Sequence, residues 1–397
     1  MRAALFLTAA LIAAPAAYAQ SSSQYQGGDA TAVTEIEIGE AYDAAATAVA
    51  SGNAVSTEAE GADTAMSTDQ HMDGDASATA DATVWDAEGN VATASAAVGN
   101  GQTAVVTDSN ADIQSTQLAH GDAHAETAFR GAYSANASTS ATASGNVSAV
   151  SAAYSELRLR SEQESTGSIS ATINADHGVV ADTVVSGAVA SANNISVGGE
   201  TSTVLTDLRQ AATGESVSAR VDMYAGHAYD ASGNATANAN SATVANEWGY
   251  VNARIDQSAT ANVNADAFVT LGGDFAGIGS AGAYGVGNQA IVSNVGSDTV
   301  METLQDNAGD VSANAALEGE GGEAALASSA AYGNSVTGYV CTQCDTNVPG
   351  LQANNTQTNS GDVSSNARVV TPRAGTAAAS STAIGNAATY AARGPGG

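Results

Sequence analysis

The side chains with the widest chemical range in this 397-residue chain are five histidines, two cysteines and an acid that recurs after glycine. His120 and His124, in HGDAHAE, have the i, i+4 spacing that puts two imidazoles on one helix face, as a zinc site on a helix requires. The run around them reads as corner and strand, which parts the two rings, so no metal site is expected there. Cys341 and Cys344, in VCTQCD, can close as a disulfide in an exported protein. A redox role for the pair would need a βαβ context, and a zinc site would need two more ligands; the sequence around the pair offers neither. Asp29, Asp75, Asp122, Asp310 and Asp362 suit weak calcium binding at a surface, although the glycine-rich calcium nonapeptide is missing. Nucleophile elbow, phosphate loop and paired-carboxylate cleft are all lacking, so neither an enzyme nor a cofactor is expected.

The composition narrows the class further. The chain carries 41 acidic residues against 10 basic ones, all of them Arg, for a formal charge of −31. Such a surface repels nucleic acid and anionic lipid and attracts divalent cations and basic partners. The hydrophobic content of 44% is mostly Ala and Val, with 4 Phe and 2 Trp, so any core is thin. Residues 1–19 read as a signal peptide: Arg2, an apolar run, and Ala17-Tyr18-Ala19 as a small-x-small cleavage site before Gln20. Export is therefore expected, with residues 20–397 as the folded part.

What must position any site is a repeat. A Gln-x-x-x-Gly-acid signature recurs eight times, in places degenerate, at Gln24, Gln70, Gln117, Gln163, Gln210, Gln257, Gln305 and Gln357. The steps are 46, 47, 46, 47, 47, 48 and 52 residues. A second landmark, in six of eight cases preceded by Gly, runs in step at Asn53, Asn100, Asn146, Asn193, Asn240, Asn288, Asn334 and Asn386. From each Asn to the next Gln is 17 residues six times running, and then 23 between Asn334 and Gln357. The extra residues read as a protruding loop at about 338–350, around the Cys pair. A disordered chain has no register to preserve, so the fixed steps indicate stacked units. Measured from the unit Gln, His71, His120, His124, His177 and His227 fall at offsets 1, 3, 7, 14 and 17 and are not expected to stack.

After each Gly-acid corner the sequence alternates with period two, as in Ala30, Ala32, Thr34, Ile36 and Ile38, which is the pattern of a strand with one buried face. The fifth unit slips by one, with Val217, Ala219 and Val221 apolar, and a bulge is expected to restore its face. Gly-Asp and Gly-Asn read as turns that use the positive φ open to glycine. The predicted fold is all-β: a β-solenoid of eight units of about 47 residues, each making one coil or two. Gln and Asn then lie above their counterparts, where amides can bond in ladders. An end coil would offer unpaired backbone to another strand. Tyrosines near the Gly-Asn corner, Tyr284, Tyr332, Tyr339 and Tyr390, suit either sugar stacking or cover for the thin core.

The signal peptide, the Ala/Asn/Gly units with AVGN, AYGN and AIGN corners, and the late VCTQCD together resemble the holdfast anchor family of the HfaD type. The resemblance implies an exported, non-catalytic cell-surface protein associated with the outer membrane. It implies a role in anchoring an adhesive polysaccharide, the holdfast. The implied partners are other holdfast anchor subunits, a curli-type outer-membrane secretion component and the polysaccharide, with no nucleic acid. It transfers no binding residues. The alternatives are a secreted polysaccharide- or calcium-binding module and a curli-like fibre-forming adhesin subunit.

Overall fold

Valine, threonine and alternating small residues dominate every unit, and such residues favour a pleated, half-buried surface over a helix. The computed structural model describes residues 19–275, 277–341 and 349–394, and within them the chain is all-β, with no helix. The expected signal peptide lies outside the described residues except for Ala19.

Each unit contributes three strand segments. In the second unit they are Thr64–Met72 and then a single long strand, Ala76–Thr107, that supplies two legs on either side of a register shift between Ala87 and Asn90. The first segments of the eight units form one parallel sheet in sequence order, from Ala19–Gln26 to Leu351–Asn359. The remaining legs form a thirteen-stranded sheet, again parallel. Every strand pairs with its counterpart one whole unit away: Gln24 with Gln70, Gln257 with Gln305, Asn146 with Asn193. A step of one unit, not half a unit, decides between the two windings open to the sequence.

Two apolar lobes result. The larger lies between the leg after each Gly-acid corner and the start of the next leg, and is built mainly of Ala and Val with Phe129, Phe275 and Met72. The smaller lies between the end of that second leg and the eight-stranded sheet, where Ile113, Leu157, Leu159, Leu208 and Ile255 are buried. Alternation along each strand sends one residue in two into a lobe, and with alanine there the two walls stand close.

Three expectations need correction. The Gly-Asn dipeptides do not end strands. Ala123–Ala153 runs straight through Gly145-Asn146, and the buried parity changes there from odd to even residues, so this is a bend. The corner glycines do not need positive φ either; among the described glycines only Gly61 and Gly296 adopt it. They are required by close approach, because a Cβ on Gly167 would collide with the carbonyl of Gly121, and one on Gly121 with that of Gly74. In the fifth unit the extra residue is absorbed at the corner before Val217, and the ladders from Val217 to Ile169 and Val263 run on without a bulge.

Of the loop expected at about 338–350, residues 338–341 belong to the strand Val311–Cys341, and residues 342–348 lie outside the described residues. Val295 and Thr299 close the preceding unit, and their partners are Cys341 and Leu351, so the added residues fall wholly between these two. Cys344 lies outside the described residues, and with it the question of a bond to Cys341.

His177 is buried in the larger lobe, stacked on Phe129 with ring centroids 4.6 Å apart. Neither ring nitrogen has a hydrogen-bond partner, and desolvation pushes its pKa down to about 4. Below the ordinary value of 6.5 the unfolded chain takes up a proton that the folded chain refuses until about pH 4, so stability is lost as pH falls through that window. The loss amounts to about 3 kcal/mol. His177→Leu should remove that part of the pH dependence, seen as a smaller change in denaturation free energy between pH 7 and pH 4. Separately, Gly167→Ala should cost about 2 kcal/mol in urea unfolding. Gly28→Ala, where a Cβ meets nothing within 4 Å, should be neutral.

Candidate functional site

Between the two lobes lies a seam of amides. The eight glutamines stand in one column, and each side-chain nitrogen from Gln70 to Gln357 donates to the Oε1 of the preceding glutamine at 2.7–3.0 Å. The second amide proton crosses the seam to a backbone carbonyl, as from Gln163 to Asn194 at 3.1 Å. The asparagines form a parallel column, each from Asn53 to Asn334 donating to the Oδ1 of the following one at 2.7–2.9 Å. Their second proton crosses the other way, as from Asn146 to the Glu164 carbonyl at 2.7 Å. The two columns point in opposite directions along the stack, so their amide dipoles oppose. In the interior layers each column amide thus uses both of its protons, as Gln117 and Asn100 do, and the columns hold the lobes together.

At the Gly-acid corner the carboxylates serve the backbone. Asp29 accepts the amide of Asp75, Asp75 that of Asp122, and Asp122 that of Ser168, at 2.7–3.0 Å. Asp310 accepts the amide of Asp362 at 2.9 Å. One oxygen of each of these acids is therefore engaged, which accounts for an acid or amide at this position independently of calcium.

Beside that corner the structure brings together histidines that offset arithmetic separates. His71 pairs in register with Leu118, and His120 follows two residues later, just past the end of the strand Asn110–Ala119. Diagonal neighbours of this kind are within reach for long side chains. His71 Nε2 is 3.0 Å from His120 Nδ1, and both contact Asp73 Oδ1. His124 instead faces Glu126 at 3.6 Å, so the HGDAHAE pair is split.

A third corner carries no residue signature and was invisible in sequence. Gly61, Asp108, Tyr154, Thr201, Trp248 and Gly296 all take positive φ, between 49° and 85°, one in each successive layer. Each donates its amide to the next layer, as Tyr154 to Glu200 and Trp248 to Val295. For a bulky or β-branched residue this conformation costs about 1 kcal/mol or more and persists only where neighbours fix it. Buried Asn246 and Asn294 help do so by donating to the Gly249 carbonyl at 2.8 Å. Tyr154 (58% exposed) and Trp248 (44% exposed) stand out here over a shallow groove with Asp108 and Thr201. Cys341, the last described residue before the insertion, accepts the Gly296 amide at this same corner. The 46–48-residue step of the column was the signal available, but it joins unlike residues.

The tyrosines behave in two ways. Tyr284 and Tyr332 pack together at 5.8 Å, and burial, more than Tyr332, raises the Tyr284 pKa. Tyr390 is exposed on the last layer.

The family model for holdfast attachment protein D matches residues 38–310, which takes in most of the stacked units. The chain belongs to the HfaD family. No curated protein and no solved structure matches it. The HfaD match reaches from the end of the first unit's first leg to the Gly309-Asp310 corner, so it includes most of the amide seam, the histidine pair and all six residues of the positive-φ column. For this family member the work is holdfast attachment, a cell-surface task.

Gln163→Leu should destabilise the fold by about 3 kcal/mol, because it strands buried polar groups on Gln117 and Gln210 at similar volume. Gln24→Leu, at the exposed end, should cost well under half as much. Thermal and urea unfolding of both variants checks the ratio.

Proposed function

We propose that this chain is a non-catalytic β-solenoid rod, exported to the cell surface, that helps anchor an adhesive polysaccharide to the outer membrane. The observation that carries the reading is the HfaD family match over residues 38–310. The parallel pairing of every unit with the next supports the rod. Eight layers at about 4.8 Å give a length of about 40 Å. Strand pairing throughout gives a stiff element, which suits a tether under load. The charge of −31 keeps it off anionic lipid and favours basic partners. Other anchor subunits and a curli-type secretion component are the proposed protein partners. The exposed Tyr154–Trp248 corner is the proposed sugar-facing edge, since aromatic faces stack on sugars while Asp108 and Thr201 offer polar contacts.

A second reading, a curli-like fibre subunit, is favoured by the directions of the amide columns. The Gln column ends on Gln24, whose nitrogen donates only to the Ala54 carbonyl, and the Asn column ends on Asn386. One end thus presents a glutamine donor and an asparagine acceptor, and the other presents the reverse, so copies stacked head to tail would continue both columns.

Deleting the gene should leave cells that shed adhesive on washing, and unchanged retention would rule the anchor out. Tyr154→Asn with Trp248→Asn removes both rings without adding strain, because Asn tolerates positive φ. That double variant should be displayed normally yet retain less polysaccharide. A monodisperse monomer at high concentration, with no thioflavin signal, would exclude the fibre.

A further inference from the structure

Along the Gln column, the position one residue after Gln holds Tyr25, His71, Leu118, Glu164, Ala211, Ser258, Asp306 and Thr358. The position three after Gln holds Gly27, Asp73, His120, and then Thr, Thr, Thr, Ala and Ser. Stacking alone therefore asks only for a small or hydroxyl residue at the second place. Two adjacent layers depart from this, and their departures meet.

The meeting is close. His71 Nε2 lies 2.8 Å from Asp73 Oδ1 and 3.0 Å from His120 Nδ1, and the third edge, His120 Nδ1 to Asp73 Oδ1, is 3.1 Å. Ligands about 2.1 Å from one ion at right angles stand about 3.0 Å apart, and at tetrahedral angles about 3.4 Å apart. The three edges thus match three mutually cis positions of one ion and need only a slight opening for a tetrahedral one. Two imidazole nitrogens and one carboxylate oxygen form a mixed donor set that suits first-row transition metals over calcium.

The surroundings fix the ligands. Tyr25 donates its hydroxyl to the other carboxylate oxygen of Asp73 at 2.8 Å, the outer-shell bond that orients a ligating carboxylate. Tyr25 packs edge-on against His71, with centroids 5.4 Å apart, and His71 edge-on against His120 at 4.7 Å. All three ligands reach solvent, which leaves the remaining coordination positions open.

We propose that His71, Asp73 and His120 form a binding site for one divalent transition-metal ion, of the zinc class, bridging the second and third layers at the Gly-acid corner. Such an ion pins neighbouring layers near the N-terminal end of the stack, where the first layer lacks a neighbour on one side. It also offers open positions to a donor from outside.

Cobalt(II) titration of the full chain, free of any polyhistidine tag, tests this. One equivalent should bind with visible d–d absorption, be displaced by zinc, and raise the melting temperature. His71→Ala and His120→Ala should each weaken binding at least tenfold, and Asp73→Asn should weaken it clearly, with circular dichroism unchanged because none of the three side chains is buried. His124→Ala should bind as the parent does. Diffuse, non-saturating uptake that calcium competes away would mean general attraction to the acidic surface and would overturn the site. So would saturable binding that survives the His71→Ala, His120→Ala double variant.

Discussion

The fold depends on one constraint: each backbone segment must pair in parallel with the segment one unit further on. Pairing fixes the distance between equivalent residues at one strand spacing, about 4.8 Å. At that distance a side chain meets its own counterpart more intimately than any other residue. A polar group on one layer must then be satisfied by the same group on the next. An amide is suited to this, being donor and acceptor at once, and the Gln and Asn columns use both functions in every interior layer. A carboxylate cannot bond to its own copy, and at the corner Asp75 and Asp122 instead accept the neighbouring layer's backbone amide.

The same constraint sets composition. Where layers approach closely, as at the Gly-acid corner, not even a methyl fits between Gly167 and the Gly121 carbonyl. Where two walls face each other across the larger lobe, alanine fills most inward positions. Hydrophobic burial per residue is accordingly small, and cohesion is shared with backbone pairing and the amide seam. A stack of this kind leaves its outer faces free to vary, because only the inward and seam positions answer to the neighbouring layer. The positive-φ corner and the His71–Asp73–His120 cluster both lie on such outer faces.

These two surfaces divide the functional possibilities of an HfaD family member. One is a groove edged by Tyr154 and Trp248, on the corner column that Gly296 and Cys341 continue. The other is a nitrogen–oxygen cluster confined to two layers near the N-terminal end. Neither needs a cleft, and a structural attachment role asks for none.

By itself the sequence determined the period of the units, the all-β class and which parity of residues turns inward, because stacking forces length and alternation to be held in the chain itself. It also carried the Gln and Asn landmarks through all eight units in near-constant step up to the insertion after Asn334. The tertiary structure alone decided that one unit makes one layer, that the corner glycines answer to a neighbouring carbonyl and not to their own φ, and that Gly-Asn is a bend inside a strand. It alone decided that His71 and His120 meet. Counting offsets compares only residues directly above one another, whereas side chains on a pleated sheet also reach diagonally, and that reach exists only once the layers are stacked.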